Sequence, residues 1–137
     1  MTYRRNDEIQ AGLVSYLKSK TAITTLLYND EAAQIKEYMW QGTEEAYYPC
    51  IRVKLFGNIP EDDCTKTRYS ASILAFDENA SSHDADYIAG IIAGILRRRN
   101  FTSEGVAFTC RVTNVIHAVR QDIRTWRSEI LITGLAS

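Results

Sequence analysis

The 137-residue chain has no basic excess, only two histidines, three scattered cysteines, no glycine-rich phosphate loop and no long apolar run. Each shortage removes a class of function. The 16 Lys and Arg face 17 Asp and Glu, for a formal charge of −1. Nucleic-acid binders draw most of their affinity from phosphate neutralisation and usually carry a surplus of cations. Apolar stretches break off far short of the ~20 residues that a bilayer span needs. The start, Met1-Thr2-Tyr3-Arg4-Arg5-Asn6, runs into an amphipathic helix without the apolar core of a signal peptide. The expectation is a soluble protein that stays where it is made and touches no membrane.

Cys50, Cys64 and Cys110 are odd in number and far apart, which fits reduced thiols better than a disulfide framework. Cys50 and Cys110 fall in strand-like runs and read as small buried hydrophobes. Neither has a second ligand at metal spacing. Cys64 lies in an acidic loop, where a thiol is open to solvent. Nucleophilic catalysis needs a Ser, Cys or Thr beside a base, and the two histidines are His83 at a helix start and His117 in a long strand. Gly90 and Gly94 sit mid-helix with no Lys-Ser or Lys-Thr after them, so they form no phosphate loop. The chain offers no cofactor site and reads as a non-enzyme.

What is present suits a single domain over 1–137, with 45 % apolar and 24 % charged residues. A chain of this size buries roughly two-thirds of its unfolded surface, enough to fold without a staple. Asn6 reads as an N-cap, with Asp7 and Glu8 in the first turn and Ile9, Leu13, Tyr16 and Leu17 at helical spacing. A short helix capped by Thr21 follows, ending near Asn29-Asp30. Ala32 to Trp40 reads as a strand or an irregular arm, and Gln41-Gly42-Thr43-Glu44-Glu45 as loop. After Pro49, Ile51, Val53 and Leu55 alternate with Arg52 and Lys54, the period of a half-buried strand. Gly57 to Asp63 reads as a polar turn. Tyr69, Ala71, Ile73 and Ala75 then share one face of a second strand.

Ser81 or Ser82 caps the clearest helix, whose apolar stripe is Tyr87, Ile88, Ile91, Ile92, Ile95 and Leu96. Arg97-Arg98-Arg99 balances its negative end. After a Gly105 turn come two long strands, about 106–119 and 124–135, joined by Arg120-Gln121-Asp122-Ile123. The order αα-ββ-α-ββ predicts an α+β fold: an antiparallel four-stranded sheet, helices packed on one face, and a long C-terminal hairpin.

Two features read as contact surface. Opposite the Ile/Leu stripe, the second long helix carries Ala89, Gly90, Ala93 and Gly94, flanked by Asp86 and Arg97. An interior glycine costs a helix roughly 1 kcal/mol relative to alanine, so two at i, i+4 spacing read as inter-subunit contact, as tight packing within the chain, or as a cost the helix merely tolerates. The tip of the C-terminal hairpin, Arg120, Gln121, Asp122, Ile123 and Arg124 with Trp126 below it, reads as a docking arm or a solvated loop. Arg and Trp are favoured at interface hot spots.

The segments "IQAGLVSYLKSKTAITTLL", "YPCIRVKLFG", "YSASILAFD" and "DADYIAGIIAGILRRRNF", followed by the long hairpin, together resemble the tail-terminator or tail-completion proteins of long-tailed phages. The resemblance runs from about Asn6 to Leu135, and its most telling parts are Tyr48-Pro49 before the first strand and the helix after "LAFD". It implies a hexameric ring of the chain that caps the tail tube and joins it to the head-tail connector or stopper. The implied partners are further copies of itself, the tube protein and that connector, with DNA passing through the ring lumen. The implied location is the tail or neck of a virion assembled in the host cytoplasm. The family has no catalytic residues to transfer. The 57–66 loop and the 31–47 segment depart from its pattern. A head-side connector or head-completion subunit is the rival within virions. A metal-dependent nuclease using Glu61-Asp62-Asp63 and Asp77-Glu78 is the rival from another class, although no lysine follows the second acid pair and the acids are scattered. A small cytosolic binding module is a third reading.

Overall fold

In the computed structural model, which describes residues 4–38, 47–60, 66–78 and 81–137, the chain opens with α1 (Asn6–Lys18). Its buried stripe is Ile9, Leu13, Tyr16 and Leu17, at helical spacing. Arg5, not Asn6, stands at the N-cap, and Glu8 Oε1 accepts the Arg5 backbone N–H at 3.4 Å. The Asn6 carboxamide instead accepts a bond from Asn58 on the neighbouring strand. A four-residue helix, α2 (Thr21–Thr24), and two 3-10 turns follow. Asn29 and Asp30 take φ of 53° and 55°, a conformation that short polar side chains tolerate. Cys64, the Glu61-Asp62-Asp63 run, Trp40 and the loop 41–45 lie outside the described residues.

The expected antiparallel four-stranded sheet is not what forms. Among the described residues one six-stranded sheet runs in the order β1-β2-β3-β6-β5-β4. Its strands are β1 (Ile35–Glu37), β2 (Cys50–Pro60), β3 (Thr67–Asp77), β4 (Arg98–Ser103), β5 (Val106–Arg120) and β6 (Trp126–Ala136). It is mixed, because β1 runs parallel to β2 while the other pairs are antiparallel. The strands absent from the four-stranded reading are its two edges. β1 has three residues, too few to display a period of two. A single residue, Arg97, separates α3 (His83–Leu96) from β4, which exposes Arg98, Arg99 and Asn100. Edge strands bury little and carry charge that blocks further pairing, so β4 looks in sequence like helix-end charge. Arg99 still serves the helix, donating from Nε to the Ile95 carbonyl at 3.2 Å. The expected turn at Gly57-Asn58-Ile59-Pro60 is also strand: the register shifts between Leu55 and Gly57, leaving Phe56 as a bulge.

α1, α2 and α3 share a core with one face of this sheet. Tyr69, Ala71, Ile73 and Ala75 of β3 meet Ile51, Val53, Ile130 and Ile132 of the flanking strands beneath Ile9, Leu13, Ile88 and Ile92. Tyr16, Phe101, Phe108 and Tyr69 form an aromatic chain through it, with centroid spacings of 3.7, 4.9 and 5.7 Å. Such pairs add about 0.5–1.5 kcal/mol each beyond their burial. Gly134 lies opposite Tyr69, whose hydroxyl donates across it to the Thr109 carbonyl at 2.8 Å. A Cβ at Gly134 would stand 1.8 Å from that same carbonyl oxygen. On the other face, Cys50, Leu74 and Phe76 make a smaller apolar cluster with Tyr48. Cys50 and Cys110 are free and buried, and burial pushes both thiols up to about 11. They pack as hydrophobes.

Candidate functional site

α3 turns differently from its sequence reading. Its buried residues are Ala85, Ile88, Ala89, Ile92 and Leu96, whereas Tyr87 is 53 % exposed. Ala89 therefore belongs to the core and not to the outer strip. The strip that faces outward is Tyr87, Gly90, Gly94 and Arg97, with Ala93 half-buried beside it. A Cβ built on Gly90 or Gly94 meets nothing within 4 Å. Tight packing against the described residues is thus not the reason for these two glycines.

Asp86 is not on that strip either; it faces the β5–β6 hairpin. Its Oδ1 accepts the Ala118 backbone N–H and the Ser128 hydroxyl, each at 2.8 Å, and its Oδ2 lies 2.6 Å from His117 Nδ1. One carboxylate thereby ties α3 to both strands of the hairpin. Asp86 looks like ordinary first-turn acid in the sequence, where a helix start favours negative charge. The clamp escapes the sequence because its partners are 32 and 42 residues away.

Beyond that clamp the hairpin is open. β4 accompanies β5 only as far as the Arg98–Arg111 pair. Past Val112, whose N–H reaches the Arg97 carbonyl at 3.3 Å, β5 has β6 on one side and, among the described residues, no strand on the other. Two bulges, at Val112/Asn114 and Ile116/Val119, re-aim its side chains. Val115, Ile116 and Val119 are 47, 36 and 46 % exposed, and Ile123 at the tip is 86 % exposed. Apolar residues strung along an unpaired strand edge are an invitation to another chain. The adjacent Val115-Ile116 pair, which breaks the alternation, is the one sequence signal of this surface.

At the tip, the predicted docking residues divide into two roles. Arg120 stacks its guanidinium over Trp126 at 5.0 Å and donates to the Ile123 carbonyl at 3.1 Å. Asp122 Oδ1 accepts the N–H groups of Arg124 and Thr125 at 2.8 and 2.9 Å, and those bonds, Arg124's first, hold its carboxyl below the usual range. Gln121 N–H reaches the Thr125 carbonyl at 2.8 Å. Arg120, Asp122 and Trp126 thus shape the turn, while the side chains of Gln121, Ile123 and Arg124 project from it.

Asp77 and Glu78 line a cleft with Asp84, Tyr28, Tyr47 and Tyr48. Among the described residues no three His, Cys, Asp or Glu side chains come together at metal-binding reach. Glu61, Asp62 and Asp63 lie outside the described residues. No described helix is long and apolar enough to cross a membrane.

No protein-family model matches the chain, and no curated protein matches it. Its fold is similar to that of a chain in the virion of a native gene transfer agent particle. The two share 10 % identity over 98 % of each chain, with a TM-score of 0.75. At that identity the likeness establishes the fold.

Proposed function

We propose that this chain is a structural subunit of a phage-like virion, a tail terminator whose copies close into a ring on the finished tail tube and present their other side to the head connector. The observation that carries this reading is the end-to-end likeness in fold, 98 % of both chains, to a component of a gene transfer agent virion. The sequence resemblance to tail-completion proteins points to the same place and supplies the sixfold copy number.

The assembly logic follows from two unlike surfaces on one subunit. The open β5 edge with Val115, Val119 and Ile123 is one, and the smooth α3 strip of Tyr87, Gly90 and Gly94 is another. A contact between different patches on successive copies is heterologous, and it closes into a ring when the rotation allows. The work done is polymerisation control: the ring matches the last tube layer and offers later tube subunits no equivalent layer. No bond is made or broken.

Two experiments test it. In the purified protein, Val119→Asp with Ile123→Asp, or Gly90→Leu with Gly94→Leu, should convert rings to monomers, the first leaving the circular-dichroism melt of the subunit unchanged and the second raising it. In the parent particle, deleting the gene should leave overlong tubes without heads. Tails of normal length joined to heads would refute the terminator role.

A further inference from the structure

The near-neutral total hides a separation of charge across the sheet. The strand registers place Lys36, Arg52 and Lys54 on the face away from the helices at one edge, Arg68 and Arg127 in its middle, and Arg98 and Arg111 at the other edge. Among the described strand residues on that face Glu129 is the one carboxylate, and it accepts the Ser72 hydroxyl at 2.5 Å. Among the described strand residues, seven cations thus stand against one anion on this face, with Lys36 and Arg68 each engaged in an interaction of its own.

Two of these cations stand opposite two others. Arg98 pairs with Arg111, and Lys36 with Arg52. Like charges directly across a ladder oppose folding. A sheet that keeps two such pairs on one face has a use for positive charge there. Between the cations lie Ser70, Thr109, Asn100 and Thr133, the small polar side chains that, with Arg and Lys, contact phosphate oxygens and sugars. Six strands at ~4.8 Å spacing spread the pattern over roughly 24 Å, a stretch long enough to meet several phosphates. Single strands are held by successive exposed aromatic platforms; among the described residues the exposed rings here, Phe56 at 53 % and Tyr38 at 39 %, both stand at the Lys54 edge, 5.8 and 5.0 Å from its ammonium, and Phe76 in the middle is buried.

We propose that the helix-free face of the sheet is a contact surface for double-stranded DNA, holding the phosphate backbone without reading its sequence. The proposal rests on the ring reading only in that a ring places several such faces around one duplex and multiplies a weak contact. Arg52, which donates to the carbonyls of Gln34 and Ile51 at 3.1 and 2.9 Å, adds field more than direct contact. Arg68, Arg98 and Arg111 are exposed and are the residues to change.

The test is fluorescence anisotropy of a short random-sequence duplex with the full chain, across a salt series, with sizing of the same samples. Arg68→Ser/Arg98→Ser/Arg111→Ser should weaken binding at low salt at least ~10-fold and flatten the log–log salt slope by about 3. Arg5→Ser/Lys18→Ser/Lys20→Ser removes equal charge outside the strands and should stay within about twofold of the parent. Glutamine at the same three face positions replaces serine if the melt of the first variant falls. Equal weakening by both triple variants overturns the proposal. So does the absence of duplex binding by an intact ring at low salt. Competition by polyglutamate as strong as by duplex would also overturn it, assigning the face to an acidic protein surface. Face-dependent binding by a monomer would uphold the proposal and refute the ring.

Discussion

The two faces of the sheet are built from neighbouring residues of the same strands, yet they answer to different physics. In β3, Ile73 and Ala75 have no exposed surface and lie under the helices, while Arg68 on the opposite face is exposed. In β5, Phe108 and Cys110 are buried and Arg111 beside them is exposed. The helix-covered face is selected for shape, since packed interiors tolerate neither voids nor excess volume. The open face carries the strands' cations, with apolar residues at the Cys50, Leu74 and Phe76 corner and at Ile59, Leu131, Leu135, Ile116 and Val119. Substitutions should therefore separate into those that unfold the chain and those that leave it folded but without partners.

The largest effects belong to the covered face. Phe108→Ala removes the ring that stacks on Phe101 and lies edge-on to Tyr69, and should cost ~3–5 kcal/mol by urea denaturation. Gly134→Ala should cost ~3 kcal/mol, because its methyl meets the backbone of Thr109, which cannot swing aside. A normal midpoint for either variant would break the comparison at its stronger end. Asp86→Ala comes next, at ~1.5–3 kcal/mol, since it strips a charged acceptor from the Ala118 N–H and the Ser128 hydroxyl. Hydrogen exchange at Ala118 should accelerate in that variant, and unchanged exchange would deny the clamp.

The thiols supply a pH dependence of intermediate size. Burial raises Cys50 and Cys110 from 9.0 to about 11. The stability linked to the protonated thiols is complete below pH 9 and is lost as pH rises toward about 11, because the unfolded chain ionises first. Replacing both cysteines with alanine should flatten stability between pH 9 and 11. The smallest effects lie on the outer surfaces. Gly90→Ala has open space around its new methyl and should stabilise the subunit by ~1 kcal/mol. Arg111→Ser should change stability by no more than ~0.5 kcal/mol, with relief of the Arg98 repulsion favouring a gain. A large loss there would show the open face to be part of folding after all.

Period makes α1, α3 and the inner faces of β2 and β3 legible, because Ile51/Val53 and Ile73/Ala75 repeat at spacings that only one geometry buries, whereas capping misplaces the start of α1, where Arg5 and not Asn6 is the N-cap. The edges were not legible. β1 is too short, and β4 is written in charged residues that serve a helix end and an edge strand equally well. The sixfold sheet width and its parallel pair were lost with them. In α3, alanines and glycines alternate with isoleucines so closely that the sequence pattern runs about one residue out of phase with the buried stripe, placing Ala89 outside and Tyr87 inside. The open β5 edge follows from where β4 stops, a tertiary fact with no local mark beyond Val115-Ile116.

The proposed ring requires copies of this chain to meet through unlike surfaces. Negative-stain electron microscopy of the purified protein, at concentrations where sizing shows one species, tests that most directly. The account predicts closed rings of a single copy number that vanish in the Val119→Asp/Ile123→Asp variant. A uniform field of monomers from the unaltered protein, or rings that persist unchanged in that variant, would contradict it.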